Sequence, residues 1–335
     1  MFPSAAWAAL LAGFVPAAGP DAPHADTVPA PIDSDKVPER FRLPATPFRA
    51  EATRTHDLPG SAVEVFAVQF PSAVESAHGV NNTVHAEYFR PKGVTDKRPA
   101  AVVFDILDGA GVVSRGQAVW LAAQGVPAVC VTLPYYGPRR PSLADSGGEK
   151  LRFLSPDIPA SLANVRQGVL DGRRVVAWLA TRPEVDPDRI TVVGTSLGSF
   201  VAALVTAAEP KVSAACLLLG GGGLVEAFAS HPKAAAVLPL LALVGLTKEA
   251  LQTTIAPVDP LTYADLLKTK RLLMIGASRD DVVPPIALTR LWEATGRPKI
   301  VWYDATHVGA AGFGFAAMRE IHDHVTERPA VPVRP

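Results

Sequence analysis

Six short runs of nearly unbroken apolar residues, at 100–107, 127–133, 189–194, 212–219, 272–276 and 300–303, alternate along this chain with segments of helical periodicity. A strand with one wet face alternates apolar and polar residues, so runs of this kind read as strands covered on both faces. The segments between them supply the cover. Residues 117–124 form a short helical stretch ending at Gly125, and 159–182 carry Leu162, Val165, Val169, Leu170, Val175, Val176 and Leu179 at helical spacing, with Pro183 just beyond. Residues 197–208, 285–295 and 313–325 repeat the pattern. The alternation predicts an α/β fold, a mostly parallel twisted sheet with helices on both faces. Two extended runs at 61–70 and 83–90 are expected as antiparallel edge strands.

One stretch departs from the repeat. About 48 residues separate the glycines Gly220 to Gly223 from the strand at 272, more than a single crossover needs. A small helical cap insertion over the site is expected there, at about 224–260, with the apolar segment 234–246 at its centre; a buried extra helix is the alternative.

The N-terminal 47 residues read differently. Residues 5–18 are a short apolar stretch followed by Ala-Ala-Gly-Pro-Asp, which fits a signal peptide and an exported protein, although no Lys or Arg precedes it. Without cleavage it is an Ala/Pro-rich leader on a cytoplasmic protein. Residues 19–47 are rich in Pro and charge and are expected to be a disordered linker. The folded domain is then 48–328, with a tail at 329–335. No window reaches the length of apolar sequence that an integral membrane span needs. Lys+Arg and Asp+Glu both total 32, and no basic track suggests nucleic acid as a partner. Cys130 and Cys216 lie in apolar runs with no metal-ligand spacing nearby, which predicts buried free thiols and no metal site.

The chemistry centres on Gly194-Thr195-Ser196-Leu197-Gly198 at a strand-to-helix junction. A serine on such a tight turn projects its hydroxyl, and glycines on either side let strand and helix approach. A serine hydroxyl is a weak nucleophile near neutral pH, so it needs a base in hydrogen-bond reach and an acid to orient that base. His307, just past the 300–303 strand, is the one histidine in the right order and on the right edge. Asp280, just past the 272–276 strand, is the expected acid, with Asp281 as its competitor and Asp304 as a weaker one. The oxyanion hole is expected to combine the N–H of Leu197 with that of Ala110, in the loop after residue 107. Asp108 in that loop must point away from a developing negative charge.

These residues resemble the α/β-hydrolase superfamily, and within it the dienelactone-hydrolase and prolyl-oligopeptidase-like serine esterases. The resemblance runs from about residue 90 to 325. It rests on Asp171-Gly-Arg-Arg-Val-Val-Ala-Trp-Leu-Ala, on Pro183-Glu-Val-Asp-Pro-Asp-Arg-Ile-Thr-Val-Val-Gly-Thr-Ser-Leu-Gly, on Asp280-Asp-Val-Val-Pro and on His307. Leu133-Pro-Tyr-Tyr-Gly-Pro-Arg-Arg-Pro is similar to a loop of the abhydrolase-domain proteins, and Tyr135 and Tyr136 in it are expected to wall the substrate site. Ser199 stands where such relatives often carry a second glycine. The resemblance implies acyl transfer from a small-molecule ester to water through an acyl-enzyme, without metal or organic cofactor. An acyltransferase, a peptidase, or a silent hydrolase fold used for binding are the alternatives.

Overall fold

The computed structural model describes residues 23–31, 33–229 and 247–327. Ten strands form one sheet in the order β1-β2-β3-β4-β6-β5-β7-β8-β9-β10. β1 (His24–Val28), β2 (Phe48–Asp57), β3 (Val63–Pro71) and β4 (Thr83–Pro91) make an antiparallel meander. β4 then pairs antiparallel with β6 (Ala128–Val131). From β6 onward every pairing is parallel, through β5 (Arg98–Phe104), β7 (Val185–Thr195), β8 (Val212–Leu218), β9 (Arg271–Ala277) and β10 (Lys299–Tyr303).

The parallel strands are apolar throughout because they feed two cores. Val102, Phe104, Val192, Leu217 and Met274 pack on one face, while Ala101, Val103, Val193, Cys216 and Leu273 pack on the other. Neighbouring residues of a strand point to opposite faces, so a two-sided strand has no polar position to spare. The first core is covered by α2 (Ile158–Leu179), α3 (Leu197–Ala208) and α7 (Pro285–Ala294), the second by α1 (Val112–Ala123) and α8 (Gly314–Thr326). Cys130 and Cys216 are free and buried, and burial pushes both thiols well up.

Two expectations need correction. Residues 24–47 are not a linker: β1 extends the sheet, and Val28, Val37, Phe41 and Leu43 are buried. Asp33 ties this arm to the body, accepting from Leu43 N–H at 2.7 Å and pairing with the buried Arg173 at 2.6 Å. The domain therefore begins before residue 48. Strand β5 also ends at Phe104 rather than at 107, which releases 105–107 as loop. The predicted signal segment 5–18, the apolar segment 234–246 and the tail 329–335 lie outside the described residues. The described flanks of the predicted cap are helical, α4 (Leu224–Ala229) and α5 (Lys248–Ile255). A further short helix, α6 (Ala264–Leu267), precedes β9. Among the described residues no helix is long and apolar enough to cross a membrane.

Candidate active site

Parallel strands carry their following loops to one edge, and the three predicted chemical residues arrive there from β7, β9 and β10. Ser196 sits between β7 and α3 with φ 53° and ψ −119°, a conformation that L residues rarely adopt. Its N–H is held by the carbonyl of Leu218 at 2.8 Å. The flanking glycines are required by contact: a Cβ on Gly194 would overlap the carbonyl of Gly198, and one on Gly198 would overlap the carbonyls of Phe104 and Asp105. Ser199 packs against another glycine, its side chain filling the space that a Cβ on Gly220 would take.

His307 completes the arrangement. Its Nε2 lies 2.9 Å from Ser196 Oγ and its Nδ1 lies 2.7 Å from Asp280 Oδ2. A carboxylate can only accept, so Nδ1 carries the proton and Nε2 is left to accept from the serine hydroxyl. The other oxygen of Asp280 accepts from Val282 N–H at 2.9 Å and Val283 N–H at 2.8 Å, which fixes the carboxylate against rotation. The side chains of Asp280 and His307 are only 4% and 12% exposed, so little water competes for the pair. Asp281 turns away from the ring and accepts instead from the backbone N–H of His307 at 3.2 Å. Asp304 is exposed and paired with Arg279 at 2.7 Å.

The backbone contact between Gly198 and residues 104–105 brings the loop after β5 to the serine. Leu197 is the first residue of α3, so its N–H has no partner within the helix. In the loop, Ile106 accepts from Gly109 N–H at 3.3 Å. Across that planar trans peptide the N–H of Leu107 faces out of the turn. Ala110, the donor expected from the sequence, lies five residues past the contact at Asp105, in a turn with φ 51°. The turn is pinned by Asp105, buried, whose carboxylate accepts from Gly111 N–H at 2.6 Å and Ser114 N–H at 3.1 Å. Asp108 in the same loop pairs with Arg140 at 3.4 Å and Arg152 at 3.3 Å.

Tyr135 and Tyr136 do not wall an open site. Both are nearly buried, at 9% and 6% exposure. Tyr135, at φ 61°, donates its N–H to Asn81 Oδ1 at 3.0 Å and sets its ring edge-on to His78. Tyr136 Oη accepts from the N–H of Asp108 at 2.9 Å, and burial pushes its phenol up to about 12. It remains a neutral hydroxyl at any physiological pH and props the loop that faces the serine. The sequence placed the Pro-Tyr-Tyr-Gly loop near the site without revealing this role, because the bond joins residues 28 apart on different loops. Among the described residues no group of His, Cys, Asp and Glu side chains could hold a metal ion. A cleft of about 470 Å³ lined by Glu64, Arg90, Lys92 and Glu184 opens at the opposite edge of the sheet, away from Ser196.

No family model matches the chain. Two proteins of Mycobacterium tuberculosis known only as uncharacterised, Rv2627c of strain H37Rv and MT2702 of strain CDC 1551 / Oshkosh, are each 28% identical to it over 186 residues. The match spans 55% of this chain and 43% of theirs, less than half their length. Among solved structures, the acetyl xylan esterase from Paenibacillus sp. R4 superposes with a TM-score of 0.65 at 21% identity, over 82% of this chain and 89% of that one. Acetyl xylan esterase 1 from Thermoanaerobacterium sp. JW/SL YS485 gives 0.63 at 20% identity, over 89% and 96%. A putative dienelactone hydrolase from Klebsiella pneumoniae subsp. pneumoniae MGH 78578 gives 0.53 at 17%, over 80% and 100%. At these identities the likeness is one of fold.

Proposed function

We propose that this chain, an α/β hydrolase by fold, is a serine hydrolase that cleaves a small-molecule carboxylic ester through an acyl-enzyme. The observation that carries the reading is the continuous hydrogen-bond chain from Ser196 Oγ through His307 to Asp280 on three strand-end loops. In this reading His307 Nε2 takes the proton of Ser196 as Oγ bonds to the ester carbonyl carbon. The carbonyl oxygen becomes an oxyanion, held by the N–H groups of Leu197 and Leu107. The imidazolium passes its proton to the departing alcohol oxygen as the ester C–O bond breaks. Water then repeats the sequence on the acyl-serine, releasing the acid and free Ser196. Asp280 stays ionised throughout and stabilises the imidazolium.

An organophosphonate that traps active serines tests this directly. We expect one adduct per chain, on Ser196, with hydrolysis of p-nitrophenyl acetate lost in proportion to labelling. A chain that hydrolyses no ester and takes no label is a binding protein built on this fold, and the reading falls.

Tyr136 enters as a positioning residue. Tyr136→Phe removes the acceptor for Asp108 N–H and leaves the loop bearing Leu107 without that prop. A hydrogen bond of this kind contributes about 1 kcal/mol, so kcat should fall by roughly fivefold with KM little changed. Tyr135→Phe loses only a 3.4 Å contact with His78 and should stay within about twofold of wild type. Equal losses in the two variants would remove the special place given to Tyr136.

A further inference from the structure

Twelve large apolar side chains are substantially exposed among the described residues, and eleven of them lie on the edge of the sheet that carries Ser196. The exception is Trp302, on the outermost strand β10. The opposite edge, with its connections at 92–97, 180–184, 209–211 and 268–270, exposes none of them. Apolar side chains exposed singly need no explanation, but eleven of twelve along the rim of one edge is an uneven spread, and several of them lie next to the candidate triad in the chain, where an apolar substrate group would meet them.

The rim begins at the candidate triad itself. Val308 follows His307 directly and is 79% exposed; Val282 lies two residues past Asp280 and is 49% exposed; Leu107, 48% exposed, lies two residues past Asp105, whose backbone meets Gly198 of the elbow. Farther out the loop after β6 offers Leu143 at 59%, and the first turn of α8 offers Phe315 at 71%. Several ions on the same edge are paired with one another, Arg140 and Arg152 with Asp108, Arg279 with Asp304 and Arg290 with Glu226. Arg140 and Arg152 share the one carboxylate of Asp108 while the other two pairs balance, so the named ions leave little net charge and the rim complements an uncharged occupant better than an ionic one.

We infer that the site takes esters bearing a long apolar chain, which lies along this rim while the carbonyl reaches Ser196. The inference rests on the serine-hydrolase reading above and names its substrate class. An occupant continuous with the reacting carbonyl fits the geometry better than a protein partner, because a second chain seated on the same rim would shut substrate out from Ser196.

The test is kcat/KM of the full chain for p-nitrophenyl esters from acetate to decanoate, and for acetates of short to long alcohols, all below their critical micelle concentrations. A methylene covered on one side gains about half of its full burial free energy, or about twofold per methylene. Across eight methylenes this amounts to roughly 200-fold between acetate and decanoate. The double variant Leu143→Ser/Phe315→Ser should lower the long-to-short ratio at least fivefold. Hydrolysis of acetate with a flat or falling profile in both series overturns the apolar-chain inference and leaves the serine-hydrolase reading standing. Absence of hydrolysis at every length overturns that reading and this one with it. A dimer in sedimentation that the double variant turns into monomer also overturns the inference, since the rim would then be covered by a second copy.

Discussion

Ser196→Ala is expected to lower kcat for ester hydrolysis by about 10⁶-fold, His307→Ala by a similar factor, and the double variant by no more than either alone. The reason is that the two side chains act as one unit: without the imidazole at 2.9 Å the hydroxyl keeps its proton, and without the hydroxyl the imidazole has nothing to activate. Asp280→Asn should cost about 10⁴-fold, because an amide can donate to Nδ1 and so favour the tautomer whose Nε2 already carries a proton. Asp281→Asn keeps an oxygen for His307 N–H and should fall within about fivefold of wild type. Single-turnover rates on p-nitrophenyl acetate separate these losses from changes in product release. If Asp281→Asn proved the more damaging of the two, the orienting acid would have to be reassigned.

That contrast also marks how far the sequence could be read. The elbow was legible because its glycines lie between a β-branched strand and a helix-forming run, a local pattern. His307 followed from chain order and from its place past a strand. The choice between Asp280 and Asp281 was not local: it depends on which neighbour turns towards a ring 27 residues away, and the Val282 and Val283 amides decide it by holding one carboxylate in place. Strand β5 ran three residues too long in the sequence reading because Ile106 and Leu107 extend its apolar run. The buried Asp105 interrupts that run, and its carboxylate captures the N–H groups of Gly111 and Ser114, so the chain is already loop from residue 105. The arm at 24–47 was hidden for another reason. Its anchors Val28, Val37, Phe41 and Leu43 have no period, and each is buried only by distant partners, as Phe41 is by packing against Tyr263 with ring centroids 5.6 Å apart. Strand β2 escaped notice because Thr53, Arg54, Thr55 and His56 occupy a half-exposed edge that needs little apolar sequence.

Asp171→Ala is expected to destabilise the fold by about 3–5 kcal/mol, the usual cost of removing one member of a buried ion pair. The carboxylate is 1% exposed and faces Arg139, which is fully buried, at 2.8 Å; its other oxygen accepts from Ser72 Oγ at 2.6 Å. The carbonyls of Thr132 and Asn81 still accept from the guanidinium after the substitution, but they cannot balance its charge. Against a total stability of about 5–15 kcal/mol this loss is large, and the melting temperature should fall by roughly 10 °C. Replacing both partners by apolar residues, Asp171→Leu with Arg139→Met, removes the unpaired charge and should recover most of the stability. Activity should not return with it. Arg139 holds the carbonyl of Asn81, whose side chain holds the N–H of Tyr135, and the next residue is the Tyr136 that props the loop beside Ser196. The double variant is therefore expected to melt near the wild-type temperature while keeping a lowered kcat. Recovery of both together would mean that the ion pair serves stability alone.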